Sequence, residues 1–169
     1  MGIYTKIFTE LKNRFESEMS TGKLLDDVKK VQIGSINDNQ GTNVYPQLLI
    51  KTDSGFVSEE YTSSRRDSKR SNVSMKITVI DEIGNNYRSN NVYFNDSNST
   101  GILNLIERVL DVLQSDENGV LNPRFLPCAS KSTGISLSEI EIMNDQFLTC
   151  DISINIITTN YTINDRRNA

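Results

Sequence analysis

The chain has 169 residues, 36% of them hydrophobic and 24% charged, with 22 acidic side chains against 18 basic ones, two cysteines and no histidine. A net charge of −4 argues against broad contact with a phosphate backbone, which draws on an excess of Lys and Arg. The missing histidine removes the usual general base near neutral pH, excludes Ser–His–Asp and Cys–His arrangements within the chain, and leaves too few ligands for a structural zinc site.

The length predicts one domain over 1–169, with a core over 3–158 and a polar tail over 160–169. No apolar run approaches the length of a membrane span, and the opening MGIYTKIFTELK lacks the apolar region of a signal peptide. A disulfide between Cys128 and Cys150 is one reading; two free thiols in a reducing compartment are the expected one.

Ile3, Ile7, Phe8, Leu11, Phe15 and Met19 fall on one stripe of a predicted helix, with Lys6, Glu10, Lys12, Asn13, Arg14 and Glu16 on the other face. Gly22 ends that pattern. Leu24, Leu25, Val28 and Val31 fit either a short helical turn or the approach to a strand at Val31–Ile33. After the polar loop Asn37–Asn43, Tyr45–Thr52 (YPQLLIKT) reads as a strand. Pro46, with no amide hydrogen to donate, belongs at its start or on an edge.

Residues 53–72 are the least apolar stretch, and Arg65, Arg66, Lys69 and Arg70 place four positive charges within six residues. A long charged loop or hairpin extension is expected there. Val73, Met75, Ile77 and Val79 alternate with polar residues and predict a strand; Asp81–Asn86 turns the chain, and Tyr87–Phe94 is a further short strand candidate.

Ser99 or Thr100 is placed to cap a second helix carrying Ile102, Ile106, Val109, Leu110 and Leu113 on its apolar stripe, with Leu103 beside it. Asn104, Glu107, Arg108 and Asp111 are expected to face water. Beyond a Pro-containing loop, residues 135–157 read as an antiparallel hairpin. Ile140 and Ile142 alternate with Glu139 and Glu141; Leu148, Cys150, Ile152, Ile154 and Ile156 alternate with Thr149, Asp151, Ser153 and Asn155; Asn144–Gln146 makes the turn.

Helices with one apolar stripe and strands with one apolar face require two layers. The expected fold is α+β: two helices on one face of a four- or five-stranded, mainly antiparallel sheet, with the long charged loop between the first two long strands. No phosphate-binding glycine loop occurs in the chain. The carboxylate pairs Glu59/Glu60, Asp81/Glu82 and Glu139/Glu141 fall in loops or on wet strand faces and read as solubility. Ser115–Gly119 (SDENG) lacks the spaced oxygens of a calcium loop. No catalytic residue, metal site or cofactor is expected. The basic run Ser64–Ser71 reads as a solvated loop or as a contact with nucleic acid or an acidic partner surface.

The order of blocks is similar to that of the tail terminator (tail completion) proteins of long-tailed bacteriophages. The matching pieces are the amphipathic opening IYTKIFTELKNRF, the strand YPQLLIKT, the alternating VSMKITVI, the helix ILNLIERVLDVLQ, a Pro- and Leu-containing loop and the closing hairpin. The resemblance implies a non-enzymatic virion protein, assembled in the host bacterial cytoplasm. Such a protein forms a homo-hexameric ring, caps the tail tube and offers a surface to the neck or connector. It also implies that Arg65, Arg66, Lys69 and Arg70 meet acidic tube surfaces or passing DNA, and that Tyr45 and Pro46 mark an edge-strand interface between subunits. Another head–tail neck adaptor or head-closure protein shares this pattern. A non-viral α+β ligand-binding module, or an enzyme using Cys128 or paired carboxylates, are readings from other classes.

Overall fold

Spacings of four residues put Ile7, Leu11 and Phe15 on one side of helix α1 (Ile3–Ser17), and all three are fully buried in the computed structural model, which describes residues 3–34, 44–61, 68–83, 101–113 and 131–162. The solvent side of α1 carries the i,i+4 ion pairs Lys6–Glu10, Lys12–Glu16 and Arg14–Glu18 at 3.4–3.8 Å. Such exposed pairs add only a few tenths of a kcal/mol each, ~0.3–0.5, so burial of the apolar stripe holds the helix in place. A run of turns follows the helix. Leu25 and Val28 are buried, and the chain enters strand β1 (Lys30–Ile33). Of the two readings left open by Leu24–Val31, the strand is realised.

The remaining elements are β2 (Gln47–Tyr61), β3 (Ser68–Glu82), α2 (Ile102–Leu113), β4 (Lys131–Leu137), β5 (Glu141–Met143) and β6 (Phe147–Thr162). The protein is an α+β fold with a six-stranded mixed sheet in the order β1-β2-β3-β6-β4, β5 also lying beside β6. Among the described residues only β1 and β2 run parallel, and every other pairing is antiparallel. The strand count exceeds the expected four or five because β1 joins the sheet and the first arm of the closing hairpin is split into β4 and β5.

Register explains the core. Leu48, Val79 and Cys150 lie side by side across β2, β3 and β6, as do Ile50, Ile77 and Ile152. Side chains on a strand alternate between faces, so these rungs share one face. They form a single buried cluster with Ile7, Leu11 and Phe15 of α1 and with Ile102, Leu105, Val109 and Leu113 of α2. Leu105 and Val112 are buried on α2, beyond the stripe expected there.

The second face of the sheet is mostly polar and holds a smaller buried group. Leu49 and Ile80 are almost fully buried, and the ring of Tyr45 lies 4.5 Å from that of Phe147. Gln47 sits among them, 1% exposed, and neither its amide nitrogen nor its amide oxygen has a hydrogen-bond partner among the described residues. A buried amide left unpaired costs about 1–3 kcal/mol. Gln47→Met keeps the shape and removes both polar atoms. It should stabilise the protein by ~1–2 kcal/mol, seen as a higher urea midpoint at unchanged slope.

Residues 53–72 are largely strand, as the hairpin-extension reading expects and the loop reading does not. Pairing between β2 and β3 breaks between Thr52 and Val57, where Gly55 takes a φ of 66°, and resumes as far as Tyr61 opposite Lys69. Glycine adopts that left-handed conformation without steric cost, as a bulge requires. The closing hairpin also departs from expectation. Asn144 and Asp145 form its turn with φ of 53° and 54°, but Ile142 is 46% exposed rather than on a dry face. Alternation defines two faces without saying which one is covered, and β5 lies beyond the helices' cluster. β6 reaches Thr162, which pairs with Ser68, so residues 160–162 belong to the sheet and not to a polar tail. Cys150 is a free, buried thiol. The Tyr87–Phe94 strand candidate, the Ser99/Thr100 cap, the Ser115–Gly119 loop and Cys128 lie outside the described residues.

Candidate functional site

The two borders of the sheet differ in chemistry. On one side β1 pairs only with β2 among the described residues. This border exposes Ile33 at 47%. Lys29 is exposed and Lys30 is half-buried on the same border. On the other side β4 and β5 run end to end along β6. That border exposes Leu137 at 51%, Ile142 and Met143, together with the acidic side chains Glu139, Glu141 and Asp145. Lys29 and Lys30 give the first border its charge; on the second, the three carboxylates outnumber the one lysine, Lys131 at the start of β4.

The acidic border is interrupted in a defined way. Ser138 sits between β4 and β5; its amide donates to the Asp151 carbonyl at 2.9 Å, and its Oγ accepts from the Asp151 amide at 2.9 Å. The same serine lies beside Cys150, whose thiol pKa is pushed up, mainly by burial.

A groove of about 520 Å³ opens beside the basic border, between the first two turns of α1, the end of β1 and the first half of β2. Tyr4, Phe8, Ile33 and Ile50 give it apolar walls, and Lys51 and Thr52 stand at its polar side.

Between the borders, the polar face carries a row of hydrogen-bonded side chains. Ser74 donates to Asn155 at 2.7 Å, and Thr78 donates to Asp151 at 2.5 Å. Lys76 reaches Asp151 at 3.1 Å, and Ser153 donates to Asp53 at 2.8 Å. The Asp151 carboxylate raises the pKa of Lys76. The Ser153 hydroxyl and the Ser54 amide lower that of Asp53. Along this row donors and acceptors are matched across the strands, whereas the buried Gln47 amide and the Asn72 Oδ1 on the same face have no partner among the described residues.

At the end of β3, Arg108 of α2 grips Asp27 with two guanidinium bonds of 2.6 and 2.8 Å and donates to the Leu24 carbonyl at 2.8 Å. Arg108 was expected to face water; its side chain is only 15% exposed. A polar residue on a helix gives no sign of a partner 81 positions away. Asp81 stands in the same neighbourhood. Burial raises its pKa to about 6, the charges of Asp27 and Glu82 push the same way, and Arg108 and the Glu82 amide oppose them. Asp81 was read as plain surface charge, and its partial burial corrects that. A carboxylate with a raised folded-state pKa adds stability below its unfolded value, near 3.8, that is lost as pH rises through about 6. Asp81→Asn should therefore stabilise the protein by ~1–2 kcal/mol at pH 7.5, after allowing for its partial contact with water. The gain should shrink toward pH 4, as measured by urea unfolding across that range.

Of the site residues expected from sequence, Arg65 and Arg66 lie outside the described residues. Lys69 and Arg70 open β3, in register with Tyr61 and Glu60. Tyr45 and Pro46 do not lie on an edge. β1 occupies the side of β2 they were expected to leave open, and the Pro46 carbonyl accepts the Lys29 amide at 2.8 Å. Pro46 stands just before its strand, joined to Tyr45 by a cis peptide bond, where a missing amide hydrogen costs the ladder nothing. The borders themselves were not legible, because they depend on strand order.

Among the described residues, no group of three or more His, Cys, Asp or Glu side chains is arranged to hold a metal ion. No helix among them is long and apolar enough to cross a membrane. Comparison with models of known protein families and with curated proteins finds no match.

Proposed function

We propose that this protein is a structural subunit that assembles head to tail into a closed ring, and that the ring caps the tail tube of a long-tailed phage and joins it to the neck or connector. The observation that carries this reading is the pair of unlike borders. The first exposes Ile33 and the second Leu137, Ile142 and Met143, and their charge balances are opposite, Lys29 and Lys30 against Glu139, Glu141 and Asp145. Unlike surfaces at opposite ends of one molecule favour heterologous contacts, which close into a ring when the rotation permits. Opposite charge steers and registers such contacts. The tail-tube role is taken from the resemblance in block order, with Arg65, Arg66, Lys69 and Arg70, at and before the start of β3, as the basic contact to acidic tube surfaces or passing DNA.

Light scattering and negative-stain imaging, with the protein alone and with tail tubes, test the reading. Six-fold rings or caps on tube ends are the expected result. A protein that stays monomeric at high concentration and ignores tubes would overturn it. Changing Arg65, Arg66, Lys69 and Arg70 to Glu should leave the unfolding midpoint nearly unchanged and impair head–tail joining in an assembly assay.

A further inference from the structure

We infer that Asp81, Asp27 and Arg108 form a latch worked by one proton. With Asp81 protonated, the turn before β1 stays clamped to α2; when Asp81 ionises, that turn lifts locally. The device lies within one copy of the chain and does not depend on assembly.

Strand alternation places the first component. Asp81 follows Ile77 and Val79 at spacing two and pairs with Leu148, so it lies on the sheet face that the helices roof. Two other elements meet it there. The turn before β1 brings Asp27, and α2 brings Arg108. Glu82, exposed and next along β3, is the remaining charged group that acts on Asp81. One guanidinium thus serves three carboxylates. Its terminal nitrogens are committed to Asp27 and to the Leu24 carbonyl, and its buried Nε has no partner among the described residues. Among those residues the Asp81 carboxylate accepts only from the Glu82 amide, at 2.9 Å. An ionised Asp81 therefore sets a second negative charge near Asp27 with no guanidinium bond of its own. Burial opposes that charge most, and Asp27 and Glu82 add to it, which is why the Asp81 pKa stands at about 6.

The turn is the part that yields. Asp81 is fixed in β3, which is laddered to β6 on this side. The turn hangs on single backbone bonds, from the Leu25 amide to the Glu18 carbonyl at 2.9 Å and from the Lys29 amide to the Pro46 carbonyl at 2.8 Å. Leu25 and Val28 seat it in the core, so it lifts as a unit. Lifting hydrates Asp81 and parts it from Asp27, which returns its carboxyl toward the ordinary 3.8. Since the open form binds the Asp81 proton less tightly, opening grows more frequent as pH rises, by up to about tenfold between pH 5 and pH 7.5. β1 begins at Lys30, directly after the turn, so the latch sets how firmly that border of the sheet is held.

Amide hydrogen exchange of the parent and of Asp81→Asn at pH 5 and 7.5 tests the latch, each rate being divided by that of an unfolded chain. In the parent, the Leu25, Val28 and Lys29 amides should exchange at least about tenfold faster than the Ile77 amide and respond little to low urea, the marks of a local opening. Their opening should rise roughly three- to tenfold with pH, and in Asp81→Asn it should stay constant within about twofold. Turn amides that exchange only at the Ile77 rate would overturn the latch, as would a pH response that survives in Asp81→Asn. A second measurement needs no variant: the Asp81 carboxyl carbon and the turn amides should titrate together in NMR spectra, with a midpoint near 6. An Asp81 midpoint below about 4.5, close to that of an unperturbed carboxyl, would also overturn it.

Discussion

Ile77→Ala should destabilise the protein by ~3–4 kcal/mol, whereas Ile142→Ala should change stability by less than about 0.5 kcal/mol. The two residues are chemically the same, and both sit on strands. Ile77 lies at the centre of β3, between Ile50 and Ile152 on the neighbouring strands, and is completely buried in the cluster shared with the helices. Truncation there removes apolar contacts from three strands at once and leaves a void that the paired backbones cannot close. Ile142 lies on the three-residue strand β5 and is 46% exposed. The contrast is measured by urea unfolding of the monomer, with slopes compared to confirm a common unfolded state. In a domain of this size the Ile77 variant should melt roughly 6–16 °C lower. A smaller loss would mean that the sheet relaxes around the gap.

Arg108→Leu should cost ~2–3 kcal/mol at pH 7.5. The guanidinium makes two bonds to Asp27 and one to the Leu24 carbonyl, with both charged side chains largely withdrawn from water. It ties the turn that precedes β1 to the outer side of α2. Without it, Asp27 keeps its charge near Asp81 with no cation between them. The loss depends on pH in a definite direction. Arg108 holds down the Asp81 pKa, which already stands at about 6. Its removal raises that pKa further, so the variant should lose more stability between pH 5 and pH 7.5 than the parent does. Arg108→Lys keeps one charge but cannot reproduce the paired bonds, and should recover only part of the loss. Urea unfolding of the three proteins at pH 5 and 7.5 checks both the size and the slope. Equal losses at both pH values would remove the carboxylate cluster as the cause.

The elements that could be read from the chain were those in which covered and uncovered sides alternate cleanly. Ile7, Leu11 and Phe15 at helical spacing, and Val73–Val79 and Leu148–Ile156 at strand spacing, all lie in the buried cluster. The far ends of β2 and β3 left a hairpin extension and a loop both open, because DSGFVSEEY and SKRS have little apolar rhythm; they pair through the backbone, which is the same for every sequence. Arg108 was hidden because its partner is distant along the chain, and Asp81 because burial is set by what folds over it. The unlike borders followed from strand order, which no local pattern encodes. Pro46 was rightly taken to avoid the middle of a ladder, yet whether it marked a border depended on where β1 would dock.

The gap at Ser138 bears on a hazard common to open sheets. An incoming segment that zips onto β4 meets seven residues at most before the ladder stops, and β5 beyond it offers three. With the Asp151 amide already satisfied by the serine hydroxyl, an added strand finds no continuous rail to follow. Runaway stacking into fibres is discouraged at that rim, which leaves side-chain fit, and not endless backbone zippering, to decide what joins there.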